Sequence, residues 1–229
     1  MKGETPDQKR ERAAKIIEIL KAEYPDAKCS LDFGTAHQLL VAAILAAQCT
    51  DERVNMITPE LFRKYPDVGA FANADYDELE EMVKPTGFFR NKTKAIIASA
   101  QEIVAEHGGI VPDTIDALTA LSGVGRKTAN MIIGVVYGKP AIIVDTHVKR
   151  VSGRLGLTEN EDPTKIEFDL AEVLPVEDWT HFNHLIIYHG RAVCKAPTPI
   201  CSVCKVLDLC PYGQEFTAGT IKLRPATRK

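Results

Sequence analysis

The stretch Leu121–Ala129, LSGVGRKTA, places two glycines one residue apart ahead of Arg126 and Lys127, and a helical run, TANMIIGVV, comes next. Two glycines flanking a hydrophobe permit a tight turn between helices and a close approach to a ligand, because neither carries a Cβ. At the start of the second helix the amides of Val124, Gly125 and Arg126 are expected to lack helical acceptors, which suits a phosphate. The pattern alone is weak, since many helix–turn–helix pairs carry glycines. Whether Lys127 holds a phosphate or performs covalent chemistry is decided by the rest of the chain.

The 229 residues suffice for one large domain or two modest ones, and 45% hydrophobic with 26% charged residues is ordinary for a globular protein. The net charge of −3 hides an uneven distribution. Residues 66–82 hold six acids and no base, whereas residues 121–154 hold six bases against Asp145 alone. Residues 189–229 hold seven bases against two acids, so an acidic chain still offers basic segments to phosphate. The opening, MKGETPDQKRERAAKIIEIL, lacks a signal-peptide core, and the longest apolar run, LLVAAILAA at 39–47, is too short to span a bilayer. A cytosolic protein without a membrane partner is expected, with reduced thiols.

Helical periodicity dominates. It predicts an amphipathic helix over 7–23 with Ala13, Ile16, Ile17 and Leu20 on one face, and a buried helix over 35–47. Further helices are expected over 51–64, 75–84 and 90–107, the last carrying Ala95, Ile96, Ala98, Ile103 and Val104. Asp113 is the expected cap of a helix through Leu121, and further helices are expected over 125–137, 145–155, 162–173 and 179–190. KPAIIVD, 139–145, has a strand-like composition but reads better as a connection between helices. The segment after Pro211 shows no apolar pattern and is expected to be extended or mobile. The fold class is all-α.

Cys194, Cys201, Cys204 and Cys210 are spaced C-x6-C-x2-C-x5-C. Four thiolates within so short a span suit one iron–sulfur cluster; zinc also accepts four, although its ribbons usually pair two C-x2-C knuckles across a longer gap. Cys29 and Cys49 stand apart and are expected to be small buried hydrophobes. In VDTHVKR, 144–150, Asp145 falls at the N-cap or first turn of the next helix, where the dipole favours a carboxylate.

LSGVGRKTA, VDTHVKR and the cysteine array, in this order and separation, resemble the endonuclease III family of base-excision DNA glycosylases, from about Lys9 to Cys210. The resemblance implies two helical lobes with a DNA-binding cleft between them. Residues 1–28 and 140–213 would form a lobe bearing a C-terminal [4Fe-4S] cluster loop. Residues 29–139 would form a six-helix barrel lobe ending in a helix–hairpin–helix, with 214–229 as a tail. It further implies a monomer working on nucleoid DNA that contains damaged pyrimidines or abasic sites. Lys127 matches the family's nucleophile, Asp145 its essential partner, and the four cysteines its cluster ligands. Gln48 in LAAQCTD matches the glutamine that fills the gap left by a flipped base, and Phe88 in GFFRNK falls where the family places an apolar wedge. Gly123, Val124, Gly125, Arg126, His147 and Lys195 complete the expected DNA-binding set. His147 is expected to support the Asp145 helix, and His189 to order the approach to the cluster.

Two departures stand out. Ser122 occupies a position where the family usually has proline, which is expected to loosen the hairpin. The loop KAPTPI, 195–200, carries Lys195 as its single base where relatives carry several, so phosphate binding is expected to rest on 121–154. Adenine and thymine-mismatch glycosylases of the same superfamily lack the lysine at 127, and a non-catalytic DNA-binding module would need neither Lys127 nor Asp145.

Overall fold

The computed structural model describes residues 3–221, and all regular elements among them are helical. None of these helices is long and apolar enough to cross a membrane. The chain divides into two compact units. One is the contiguous stretch Cys29–Lys139; the other joins Met1–Lys28 to Pro140–Lys229.

In the contiguous unit, α2 (Ala36–Leu45) buries eight of its ten residues, as an apolar run of this length requires. Its start is fixed by Thr35, whose hydroxyl accepts the Gln38 amide. Thr50 and Asp75 cap α3 (Asp51–Lys64) and α5 (Tyr76–Val83) in the same way. Between them lies α4 (Val68–Ala72), capped by Asp67, a helix too short for periodicity to reveal. The long α6 (Phe89–His107) packs against α2, α4 and α5 and buries Lys92, Thr93, Ile96, Ser99, Ala100 and Ile103. Val104, expected on its apolar face, is exposed. The unit closes with α7 (Ile115–Ala120) and α8 (Arg126–Val135). Thr114, not Asp113, caps α7; Asp113 instead pairs with Lys139 at 2.5 Å.

In the discontinuous unit, α1 (Pro6–Glu23) opens on a capping box between Thr5 and Gln8. Its buried face, Ala13, Ile16, Ile17 and Leu20, enters a core with α9 (Thr146–Arg154), α10 (Pro163–Val173) and α11 (Trp179–Ala192). Residues 140–145 form a connection, not a strand. Thr180 Oγ1 bonds Ala141 O at 3.2 Å and Asn183 Nδ2 bonds Ile143 O at 3.0 Å, which satisfies carbonyls that no ladder serves. The segment after Pro211 differs from expectation. It forms α12 (Pro211–Thr217), with proline at the first position and the Cys210 thiol as N-cap. The rest of the tail, 222–229, lies outside the described residues.

His37 is buried on α2, edge-on to Phe71 with ring centroids 5.1 Å apart, and its Nε2 has no hydrogen-bond partner. Burial pushes its pKa down to about 4. The neutral ring is therefore favoured in the fold, so its stabilisation is complete above about pH 6.5 and lost as pH falls toward 4. His37→Leu is expected to flatten urea-unfolding stability between about pH 6.5 and pH 4.5, by up to about 2 kcal/mol relative to the parent.

Candidate functional site

The hairpin between α7 and α8 is built by backbone constraints that only a small residue meets. Gly123 has a φ of 76°, and a Cβ there would lie 2.5 Å from Ala95 Cβ on α6. The hairpin is thus seated directly on α6. Gly125 caps α8 in extended conformation and brings no side chain to the helix's first amides. The Val124 amide, expected to face a phosphate, donates instead to Leu121 O at 3.1 Å and closes the turn. Lys127 is exposed in the first turn of α8, with Arg126 half-buried before it.

Ser122 does not loosen this turn. Its amide donates to Glu102 Oε2 at 2.7 Å and its hydroxyl to Glu102 Oε1 at 2.6 Å. A carboxylate accepting two bonds from one residue restrains the backbone where a proline ring would have done so covalently. Nothing in the local sequence signals this partner, which lies 20 positions away.

Gln48 and Phe88 are the non-glycine residues with positive φ among those described, at 55° and 49°. Both are exposed, Phe88 to 62%, which excludes a core role for its ring. Gln48 lies in the turn after α2, and Phe88 is the N-cap of α6. Cys29 and Cys49, expected to be buried, are only half-buried. Cys29 stands within electrostatic reach of Asp51 and Lys127, although burial is the main cause that raises its thiol pKa. Lys92 went unnoticed in the sequence. It is 4% exposed, and a lysine in phase with Ile96, Ser99 and Ile103 was the available signal.

In the discontinuous unit Asp145 is the N-cap of α9, its Oδ1 accepting the Val148 amide at 2.7 Å. Its Oδ2 lies 3.3 Å from His147 Nδ1. The imidazole in turn needs Gly190, where a Cβ would come within 2.8 Å of His147 Cδ2. The carboxylate therefore sits at the positive end of a helix dipole, with an amide and a ring among the groups that hold it.

The four cysteines line a single cavity together with Val151, Leu155, His189 and Tyr212. Arg154 fastens its rim. Its Nη1 lies 3.4 Å from Cys194 Sγ and 2.9 Å from Lys195 O, and its guanidinium lies 4.9 Å from the Tyr212 ring centroid. His189 approaches Cys204 Sγ with Nε2 at 3.7 Å and Tyr24 Oη with Nδ1 at 3.2 Å. Burial pushes the Cys210 thiol up to about 11 and raises those of Cys201 and Cys204, with neighbouring cysteines adding to the effect. Four soft donors on one apolar cavity beside a guanidinium fit a thiolate-bound cofactor. Lys195 is exposed beyond this rim.

Glu102→Ala is expected to cost about 1–3 kcal/mol of stability, because it strands the Ser122 amide and hydroxyl. In a Ser122→Pro background the same substitution should cost much less, since the ring restrains the turn and no amide remains to satisfy. A double-mutant cycle by urea unfolding checks the difference.

Residues 41–176 match the family described as the HhH-GPD superfamily base excision DNA repair protein. The chain is 53% identical to "Endonuclease III" of Synechocystis sp. over 207 residues, covering 90% of this chain and 94% of that protein. It is 43% identical to "Endonuclease III" of Bacillus subtilis over 193 residues, covering 84% and 88%. Among solved structures, a trapped endonuclease III–DNA covalent intermediate superimposes with a TM-score of 0.86 at 37% identity, covering 91% of this chain and 98% of that one. A glycine hairpin with a lysine behind it, a capping aspartate and a four-cysteine pocket thus occur within a matching length and fold, and the chain belongs to the endonuclease III family of HhH-GPD base-excision repair proteins.

Proposed function

We propose that this chain is a bifunctional DNA glycosylase and AP lyase that removes oxidised or ring-saturated pyrimidines from duplex DNA, acting as a monomer on nucleoid DNA. The observation that carries this reading is Lys127, exposed at the first turn of α8 behind a hairpin seated on α6. A phosphate clamp would be served as well by arginine, whereas Schiff-base chemistry needs a primary amine.

Catalysis begins with rotation of the damaged nucleotide out of the stack, at a cost of a few kcal/mol. Phe88 and Gln48, on their exposed turns, enter the vacated space and offset that cost. Asp145 stabilises positive charge on the sugar as the base departs with the glycosidic electron pair, and accepts the proton that frees the Lys127 amine. Lys127 Nζ bonds to C1′, the sugar ring opens, and an iminium forms. Loss of a C2′ proton then breaks the C3′–O bond and expels the 3′ phosphate. Water releases the lysine and leaves an unsaturated aldehyde on the 5′ fragment. Backbone amides at the hairpin, with Arg126, bind the phosphate chain, while Lys195 contributes little.

Cys194, Cys201, Cys204 and Cys210 would hold a [4Fe-4S] cluster. Four thiols around one apolar cavity, with a single C-x2-C pair in their spacing, suit a polynuclear group better than zinc. When bound, the cluster supplies a cross-link that orders 194–210.

Lys127→Gln is expected to fold and to bind lesion duplex yet to give no borohydride-trapped adduct. Asp145→Asn keeps a competent helix cap but should slow base release and trapping by about a hundredfold or more. Normal trapping by Lys127→Gln would make another amine the nucleophile. Separately, the purified protein should be yellow-brown with about four irons per chain; a colourless protein holding one zinc would refute the cluster assignment.

A further inference from the structure

One buried charge has no part in these reaction steps. Lys92 projects from the first turn of α6 into the interior of its unit, where Nζ donates to Leu45 O and to Thr86 O, each at 2.8 Å. Burial lowers its pKa from the ordinary lysine value. Both acceptors are helix ends. Leu45 is the last residue of α2, whose final carbonyls have no helical donor and carry the negative end of the dipole. Thr86 ends the short helical turn Lys84–Thr86, and its own hydroxyl is spent on Val83 O at 2.8 Å.

The position of each acceptor in the chain gives the contact its meaning. Three residues after Leu45 comes Gln48, and two after Thr86 comes Phe88, the two non-glycine residues held at positive φ among those described. Such backbone conformations persist only where the surroundings over-determine them. One ammonium, itself anchored on α6, ties down the near end of both turns.

We propose that Lys92 is a positioning residue for base extrusion, one side chain that sets the spacing of the turns presenting Gln48 and Phe88. The assignment rests on the reading of those two residues as the groups that enter the duplex. A lysine that merely satisfies the core would affect every substrate alike. A lysine that aims two turns matters where a base must be displaced from a stack, and not where the lesion is already unstacked.

The test compares borohydride trapping of the full-length, iron-loaded protein on a ring-saturated thymine in duplex and in single-stranded DNA. Lys92→Met keeps the aliphatic stem without donors, and Lys92→Gln keeps two N–H groups without charge. Lys92→Met is expected to retain single-strand activity within about twofold and to lose about tenfold or more on duplex, with Lys92→Gln losing less. Added to the Gln48→Ala, Phe88→Ala double variant, Lys92→Met should cost less than about twofold more, since the groups it aims are gone. Equal loss on both substrates, unchanged duplex activity, a fully multiplicative loss in the triple variant, or failure of both Lys92 variants to fold would overturn the assignment. If the Gln48→Ala, Phe88→Ala protein keeps full duplex activity, the reading of those residues fails and takes Lys92 with it. If that protein loses duplex activity while Lys92→Met does not, Lys92 alone is misassigned.

Discussion

One stripe of α6 holds three turns of its unit in place. Lys92, Ala95, Ser99 and Glu102 recur at three- and four-residue spacing and therefore share a face. Lys92 grips the carbonyls ahead of Gln48 and Phe88, the Ala95 methyl sets how near Gly123 comes, and Glu102 clamps Ser122. A helix is stiff over such a distance, so turns fixed to one helix inherit fixed spacings from it. Enlarging Ala95 would lift the hairpin, and removing either charged residue would free one end of the arrangement.

The other unit uses arginine to the same end. Arg12 reaches from α1 to Leu155 O at 2.6 Å and Leu209 O at 3.1 Å, next to Cys210, and pairs with Glu4 at 2.7 Å. Arg154 reaches the other end of the cysteine segment at Cys194 and Lys195. Planar guanidinium groups satisfy several loop carbonyls at once, which suits a segment with little apolar mass of its own.

Much of this was legible in the chain. Ten helices were readable: nine run eight residues or more and show their period, the six-residue α7 was marked by the start signal ahead of it, and most begin at a Thr or Asp whose side chain accepts a backbone amide. The helices Val68–Ala72 and Pro211–Thr217 escaped because five and seven residues show too little period, and a thiol cap is not a usual start signal. The cysteine spacing is local and legible by itself, whereas Lys127 and Asp145 were singled out through the family resemblance, since a lysine behind a glycine turn and a capping aspartate carry no catalytic mark of their own. Glu102 and Lys92 act on residues far along the chain, and a lone buried lysine or glutamate carries no mark of what it touches. The proline-to-serine departure was visible, but its sign was not, because the compensating carboxylate lies on a different helix.

The discontinuity of the unit that carries the four cysteines has a consequence for biosynthesis. Helix α1, with Ala13, Ile16, Ile17 and Leu20 on one side, is made before the whole contiguous unit, yet its packing partners α10 and α11 are made after it. At about 5–20 residues per second, that apolar face waits on the order of ten seconds or more while the contiguous unit folds behind it. An adhesive face is thus exposed during synthesis. The bases and acids interspersed along MKGETPDQKRERAAKIIEIL act as its solubilising guard until the chain returns to cover it.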